Sequence, residues 1–388
     1  MPPKTEDKDA TAREEWKFLF WALLLCGAFL YLQTFVFPFV PRAATGDQSI
    51  YLHDAARMFD GEMIYRDFDH FTLPGTSVLY LTLFKVFGVR AWIPEAMLIL
   101  IGVAVAGLSY KICAGMLTGA TAFLPGLLFV VLPLGGYLDA THHWYSTLLA
   151  TGALALVIER RTASRVAAAG ALWGAATCFA QSMVLGAIGL ALFLVWEQRR
   201  RNESASSMLR KEGCLFAGYF AVLLSFAGFF AWKVGATRLW DETVVFVLKF
   251  YSTDPSNTWR AYMSWRPSLH MWTDWPEFPA WVLIHLLLPL VYVLFFVRYQ
   301  RESPSRPAIP WEGLMLVNVT GIAMFLMVAS APAFNRLYTV SLPALILLVW
   351  FLSAPSKVER ILLRGLWGIV IVLAVVKPAV TQVRWKKS

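Results

Sequence analysis

The sequence predicts an all-α polytopic membrane protein, with about 11 transmembrane helices and juxtamembrane helices in its first outer loop. Three observations carry that prediction. Hydrophobic residues fill 58% of the 388 positions and charged residues only 15%, where a soluble domain is about a quarter charged. Apolar runs of about 20 residues recur along the chain, the length a helix needs to cross a hydrocarbon core of about 30 Å. The runs are continuous rather than alternating, which argues against a transmembrane barrel. The net charge of +9 comes from Lys and Arg in short segments between apolar runs. There they set topology, and no nucleic-acid partner is expected.

Residues 1–17 are polar and mixed in charge, and read as a disordered cytoplasmic tail. Residues 18–388 read as one integral membrane domain. The first apolar run, 18–39, is too long for a signal peptide and lacks a small-residue cleavage site. Pro38 and Pro41 end it. The first outer loop, 41–91, carries the acidic run GDQSIYLHDAARMFDGEMIYRDFDHFTLPG. Within it, 47–60 is amphipathic, with Tyr51, Ala55, Met58 and Phe59 on one side, which suits a helix at the membrane surface. Gly61 stops that helix. Residues 76–87 are apolar, too short to cross and interrupted by Lys85, so they are expected to lie flat. Were they to cross, the acidic loop would share a side with the basic segments around Arg160 and Arg200, against the positive-inside rule.

The later spans read as 92–112, 117–134, 142–158, 166–180, 183–196, 214–234, 279–297, 311–331, 337–352 and 361–376. A second large outer loop, 235–278, holds a third surface helix at 239–251. A Trp-dense stretch follows, with Arg260, Arg266 and His270. The N-terminus is then inside and the acidic loop outside. Arg384, Lys386 and Lys387 also fall outside, against the rule. Cys26, Cys113, Cys178 and Cys214 have no paired spacing and read as small core residues.

Asp47 lies one short step past the first span. On an outer face its carboxylate can act as a general base toward a hydroxyl or amine. If the donor is a sugar on a lipid phosphate, the leaving group is already a good anion. One carboxylate plus a cation for the phosphate then suffices, where glycoside hydrolysis uses two carboxylates. Taken alone, though, Asp47 reads better as the N-cap of the helix that follows. Asp54, Asp60, Asp67 and Asp69 offer oxygen ligands that suit Mg²⁺ or Mn²⁺. Their spacing is not that of a ligand set, solvated loop charge accounts for most of them, and no metal ligand is assigned.

His142 and His143 open a span on the outer side. Adjacent helical side chains point about 100° apart, so no shared metal face is expected of them. They read equally as interfacial anchors or as one His facing a cavity, with Asp139 a weaker case. Arg336 sits in a very short outer loop. It can hold a lipid phosphate through its planar fork or snorkel at the interface. Lys85, Arg260 and Arg266 are lesser candidates of the same kind.

With these residues placed, the first outer loop resembles that of the GT-C glycosyltransferases (glycosyltransferase family 39-like). That class includes the dolichyl-phosphate-mannose protein mannosyltransferases and the bacterial lipid A aminoarabinose and core-sugar transferases. The matching positions are Asp47, Tyr51, Ala55, Gly61, Tyr65, Arg66, Asp67, Pro74, Phe87 and Gly88. The run RLYTVSLPALILL from Arg336 is similar to an Arg-Tyr and Pro element near the last spans of that class. Two positions depart: Gln48 stands where the family has Glu, and Leu73-Pro74 where it has Pro-Pro.

The resemblance implies a polyprenyl-phosphate sugar donor and a glycan, lipid or protein acceptor. It implies inverting transfer on the periplasmic face of a bacterial cytoplasmic membrane. Asp47 would be the catalytic base, and Tyr51, Tyr65, Arg66, Asp67, His142, His143 and Arg336 would bind substrate. A divalent cation such as Mg²⁺ or Mn²⁺ stays open. Two other classes compete. A lipid-linked sugar transporter or flippase places ionisable residues inside its spans, where this sequence has almost none. A catalytically idle assembly partner is the reading that Gln48 keeps alive.

Overall fold

A computed structural model describes residues 5–250, 253–255, 258–264, 270, 275, 278–329, 332–353 and 356–385. Arg266, Lys386, Lys387 and most of the Trp-dense stretch lie outside the described residues. The described chain is almost entirely helical, as an apolar sequence in lipid requires, because a helix satisfies every backbone polar group within its own segment.

Helix α1 spans Thr5–Thr34, so the polar residues read as a tail continue the first helix. It ends ahead of Pro38 and Pro41, in a small antiparallel hairpin of β1, Phe35–Val36, and β2, Val40–Pro41. Two short helices follow, α2 at Gly46–Phe59 and α3 at Gly75–Phe87. Gly61, with φ +103°, closes the turn after α2. At 13 residues α3 rises only about 20 Å, too little to cross.

Then come α4, Ile93–Cys113, and α5, Leu124–Phe129, the latter running on through Val130–Leu134. Next are α6, His142–Val157, α7, Ala163–Phe179, α8, Val184–Arg201, and α9, Ala205–Val234. The segment after α9 holds α10, Ala236–Trp240, α11, Phe246–Lys249, and α12, Trp259–Ser264. The chain finishes with α13, Phe278–Val282, α14, Leu288–Glu302, α15, Trp311–Ala329, α16, Phe334–Thr339, α17, Leu342–Leu352, and α18, Lys357–Trp385.

Each predicted apolar run is helical, but not each is a span by length. Among the described residues 6 helices are long and apolar enough to cross, or 7 when Phe278–His285 and Leu288–Glu302, bent by 45°, count as one. Of the other runs expected to span, two form shorter apolar helices, Gly119–Leu134 and Leu342–Leu352, and two form α6 and α7, of 16 and 17 residues, so the expected 11 is not reached by length.

Helices in lipid gain little from the hydrophobic effect and associate through close packing of small residues. The pair α7 and α9 shows this. A Cβ added at Gly170 would sit 2.0 Å from the Leu215 carbonyl oxygen, and one at Gly174 would sit 2.4 Å from that of Tyr219.

The bundle has two chemically distinct ends. At one, Arg161 Nε lies 2.7 Å from Glu197 Oε1, and Arg201 pairs with both Glu197 and Glu312, tying α6, α8 and α15 together. At the other gather α2, the start of α6, the end of α7 and α16. The end of α18 joins this second end: Gln382 Nε2 donates to the Leu32 and Phe35 carbonyls at 2.9 and 2.7 Å.

Candidate active site

The site is built where α2 meets the start of α6. Helix α2 buries Gln48, Tyr51, Asp54 and Ala55, one helical stripe at three- and four-residue spacing. Gln48 Oε1 accepts the Ala140 N–H at 2.7 Å, and Tyr80 of α3 donates to the Ala140 carbonyl at 2.6 Å. Both surface helices therefore grip the segment that leads into His142. Arg42 adds a third tie, with Nη2 2.9 Å from Asp139 Oδ1. On the far side, Thr147 donates to the Thr339 carbonyl at 3.0 Å, fixing α16 and its Arg336 against α6. Gln181 Nε2 donates to the carbonyls of Phe71 and Thr243 at 2.9 and 3.2 Å, pinning the segments 60–74 and 235–250 to the end of α7.

These ties bring Asp47, His142 and His143 together. A carboxylate oxygen and one nitrogen from each ring all lie within 4.8 Å of one another. The two His rings have centroids 3.8 Å apart. The 100° spacing of neighbouring helical residues predicts no shared face, and the structure corrects this: both rings turn toward Asp47 at the first turn of α6. Asp47 is not an N-cap: the cap is Thr45, and Asp47 sits in the first turn, just after Gly46 with φ +55°.

A small cavity of about 140 Å³ opens beside the cluster, lined by Phe71, Thr72, His142, His143, Gln181 and Arg336 among others. Burial pushes the Asp47 carboxyl above its ordinary value, the Arg336 charge opposes that shift and Asp139 adds to it. Among cations, the set of one carboxylate and two imidazoles fits a Zn²⁺- or Mn²⁺-like ion better than Mg²⁺, which prefers oxygen alone.

The other expected contacts lie apart from the cavity lining. The Tyr65 ring is buried at φ +68° and its hydroxyl donates to the Thr72 carbonyl, so it buttresses a lining residue. Arg66 and Asp67 are exposed and pair with each other at 2.7 Å. Asp67 also accepts the Met63 N–H at 2.7 Å. The Arg66 hydrogen bond, helped by that backbone bond, pulls its carboxyl down to about 2. Asp60 and Asp69 are exposed as loop charge. Asp54 is not: it is 5% exposed, with Oδ2 2.9 Å from His70 Nδ1. Tyr51 donates to or accepts from His142 Nδ1 at 2.7 Å. Sequence reasoning assigns no role to His70 or Thr72, which flank Phe71 in the acidic loop, and no spacing there marks them as a pair.

No protein-family model matches the sequence, and no curated protein matches it. Solved structures do. ArnT from Cupriavidus metallidurans, solved bound to undecaprenyl phosphate, superposes with a TM-score of 0.56 at 17% identity, over 95% of this chain and 76% of that one. The archaeal oligosaccharyltransferase AglB from Archaeoglobus fulgidus, solved with an inhibitory peptide and a dolichol-phosphate, gives 0.55 at 12% identity, over 95% of this chain. The chain spans 56% of the length of that archaeal protein. On this likeness the chain shares its fold with ArnT and with the matched part of AglB.

Proposed function

We propose that this chain is an inverting glycosyltransferase that moves a sugar from a polyprenyl-phosphate carrier to an envelope acceptor. The carrying observation is the convergence of Asp47, His142, His143 and Arg336 at one end of the bundle, beside an open cavity. Asp47 takes the proton from the acceptor hydroxyl or amine. The freed electron pair forms the new bond to the anomeric carbon, and the carrier phosphate leaves with the electrons of the old one. Arg336 holds that phosphate, whose charge makes it a good leaving group without a general acid.

Asp47, His142 and His143 are the residues that would hold a divalent cation. Such an ion would supply charge neutralisation at the phosphate. A groove walled by Met58, Val78, Leu81, Phe226, Phe229 and Phe230 opens between the surface helices and α9, and suits an apolar carrier tail. The gathering of Arg160, Arg161, Arg200 and Arg201 at the opposite end supports a cytoplasmic placement for that end. The reaction would then run on the periplasmic face of the bacterial inner membrane.

The test is Asp47→Asn in protein that inserts normally. Transfer of labelled sugar from a polyprenyl-phosphate donor should fall about 100-fold or more, the usual worth of a general base. Transfer at the wild-type rate sinks the proposal. Movement of labelled carrier lipid across proteoliposomes without sugar transfer would establish a transporter instead.

A further inference from the structure

Behind the cavity wall runs a continuous line of buried polar groups. Asp54 Oδ2 lies 2.9 Å from His70 Nδ1, and His70 Nε2 lies 2.6 Å from Thr72 Oγ1. Thr72 Oγ1 is 3.3 Å from the Tyr51 hydroxyl, which is 2.7 Å from His142 Nδ1. Asp54, His70, Thr72 and Tyr51 are each less than a tenth exposed. The line ends on a ring of the Asp47, His142 and His143 cluster.

Proton counting gives this line a direction. A hydroxyl has one proton, so Thr72 and Tyr51 each donate to one neighbour and accept from the other. An ionised carboxylate only accepts. A lone pair on His70 Nδ1 would repel an Asp54 oxygen at 2.9 Å, so Nδ1 carries the proton. With the His70 ring neutral, the form this line requires, Nε2 then accepts from Thr72; a doubly protonated ring would donate there and reverse the line. With its proton committed, Thr72 accepts from Tyr51, whose hydroxyl burial keeps protonated. Tyr51 in turn accepts from His142 Nδ1–H. The remaining nitrogen of His142, Nε2, is left with a lone pair.

We propose that Asp54, His70, Thr72 and Tyr51 form a positioning relay that holds His142 in its Nδ1-protonated tautomer, leaving the Nε2 lone pair for the centre it shares with Asp47 and His143. This rests on reading that cluster as the reaction centre. No bond or proton changes hands along the relay; it fixes orientation. A histidine serves a cation or a donor through one nitrogen best when its other nitrogen is held as a donor.

The test is long-range ¹H–¹⁵N correlation at pH 8 on ¹⁵N-histidine-labelled protein in lipid nanodiscs, with the His142 signals assigned by their loss in His142→Gln. His142 should show a protonated Nδ1 and a bare Nε2. Thr72→Val, which cuts the line at its longest link, should give a tautomer mixture, and Thr72→Ser should restore one form. Zn²⁺ affinity by calorimetry should fall about 10-fold or more in Thr72→Val, the usual worth of such partners, and recover in Thr72→Ser. A protonated Nε2 in the wild type, or a tautomer indifferent to Thr72→Val, overturns the relay. Neither readout involves sugar transfer. An active Asp47→Asn variant would therefore sink the transferase reading and leave the relay standing.

Discussion

Gln48 holds an amide where the resembled family carries a second acid, and its neighbours explain the exchange. Oε1 accepts the Ala140 N–H, and Nε2 donates toward Glu95 Oε1 at 3.4 Å. Glu95 is fully buried, so a glutamate at position 48 would set two carboxylates face to face. Gln48→Glu should cost roughly 1–3 kcal/mol, read as a lower melting temperature in detergent. An unchanged melting temperature would remove Gln48 from the support of the site. The amide is thus accounted for by packing. Asp47 makes a second prediction. A base works only when ionised, and burial has raised its carboxyl above 3.8. Transfer should therefore fall as pH drops through a value higher than that of an ordinary aspartate. Arg336 opposes the rise, so Arg336→Gln should move that acid limb of kcat/KM to higher pH. A limb that stays in place would mean Arg336 does not act on Asp47.

Helix α2 shows how an element can carry a pattern and still hide its purpose. Amphipathic spacing placed Tyr51, Ala55, Met58 and Phe59 on one side. The folded helix buries Tyr51 and Ala55 but also Gln48 and Asp54, and leaves Phe59 44% exposed. Buried polar groups are tolerated when partnered, and the partners come from elsewhere in the chain. The α7 and α9 pair is the clearest element-level dependence. Gly170 and Gly174 lie four residues apart and meet backbone oxygens, which cannot swing aside as a side chain can. Gly174→Leu should separate the helices and cost about 1–3 kcal/mol or more, measured by unfolding in mixed micelles. Gly213→Leu on α9, where nothing lies within 4 Å, is the control and should be close to neutral. Equal losses in both would show that the contact does not hold the pair.

At the scale of the whole molecule, the separation of a basic end from the candidate site makes orientation testable. In a background lacking the native cysteines, Ala44→Cys and Arg160→Cys, both at exposed positions, should label from opposite sides. Impermeant reagent outside the cell should reach 44 and not 160. Labelling of 160 alone would invert the molecule and put the site in the cytoplasm.

Reading the chain as residues already gave the helical membrane architecture, the two short surface helices, and the positions of Asp47 and Arg336. Those follow from run length and loop position, which are local, because lipid forces each spanning segment to satisfy its own backbone. The joining of Asp47 with His142 and His143, and the burial of Asp54 against His70, came into view only in the folded chain. Tyr51 and His142 are 91 positions apart and meet through a hydrogen bond. Which side of a helix faces which neighbour depends on packing of the whole bundle, and no spacing within one segment encodes it.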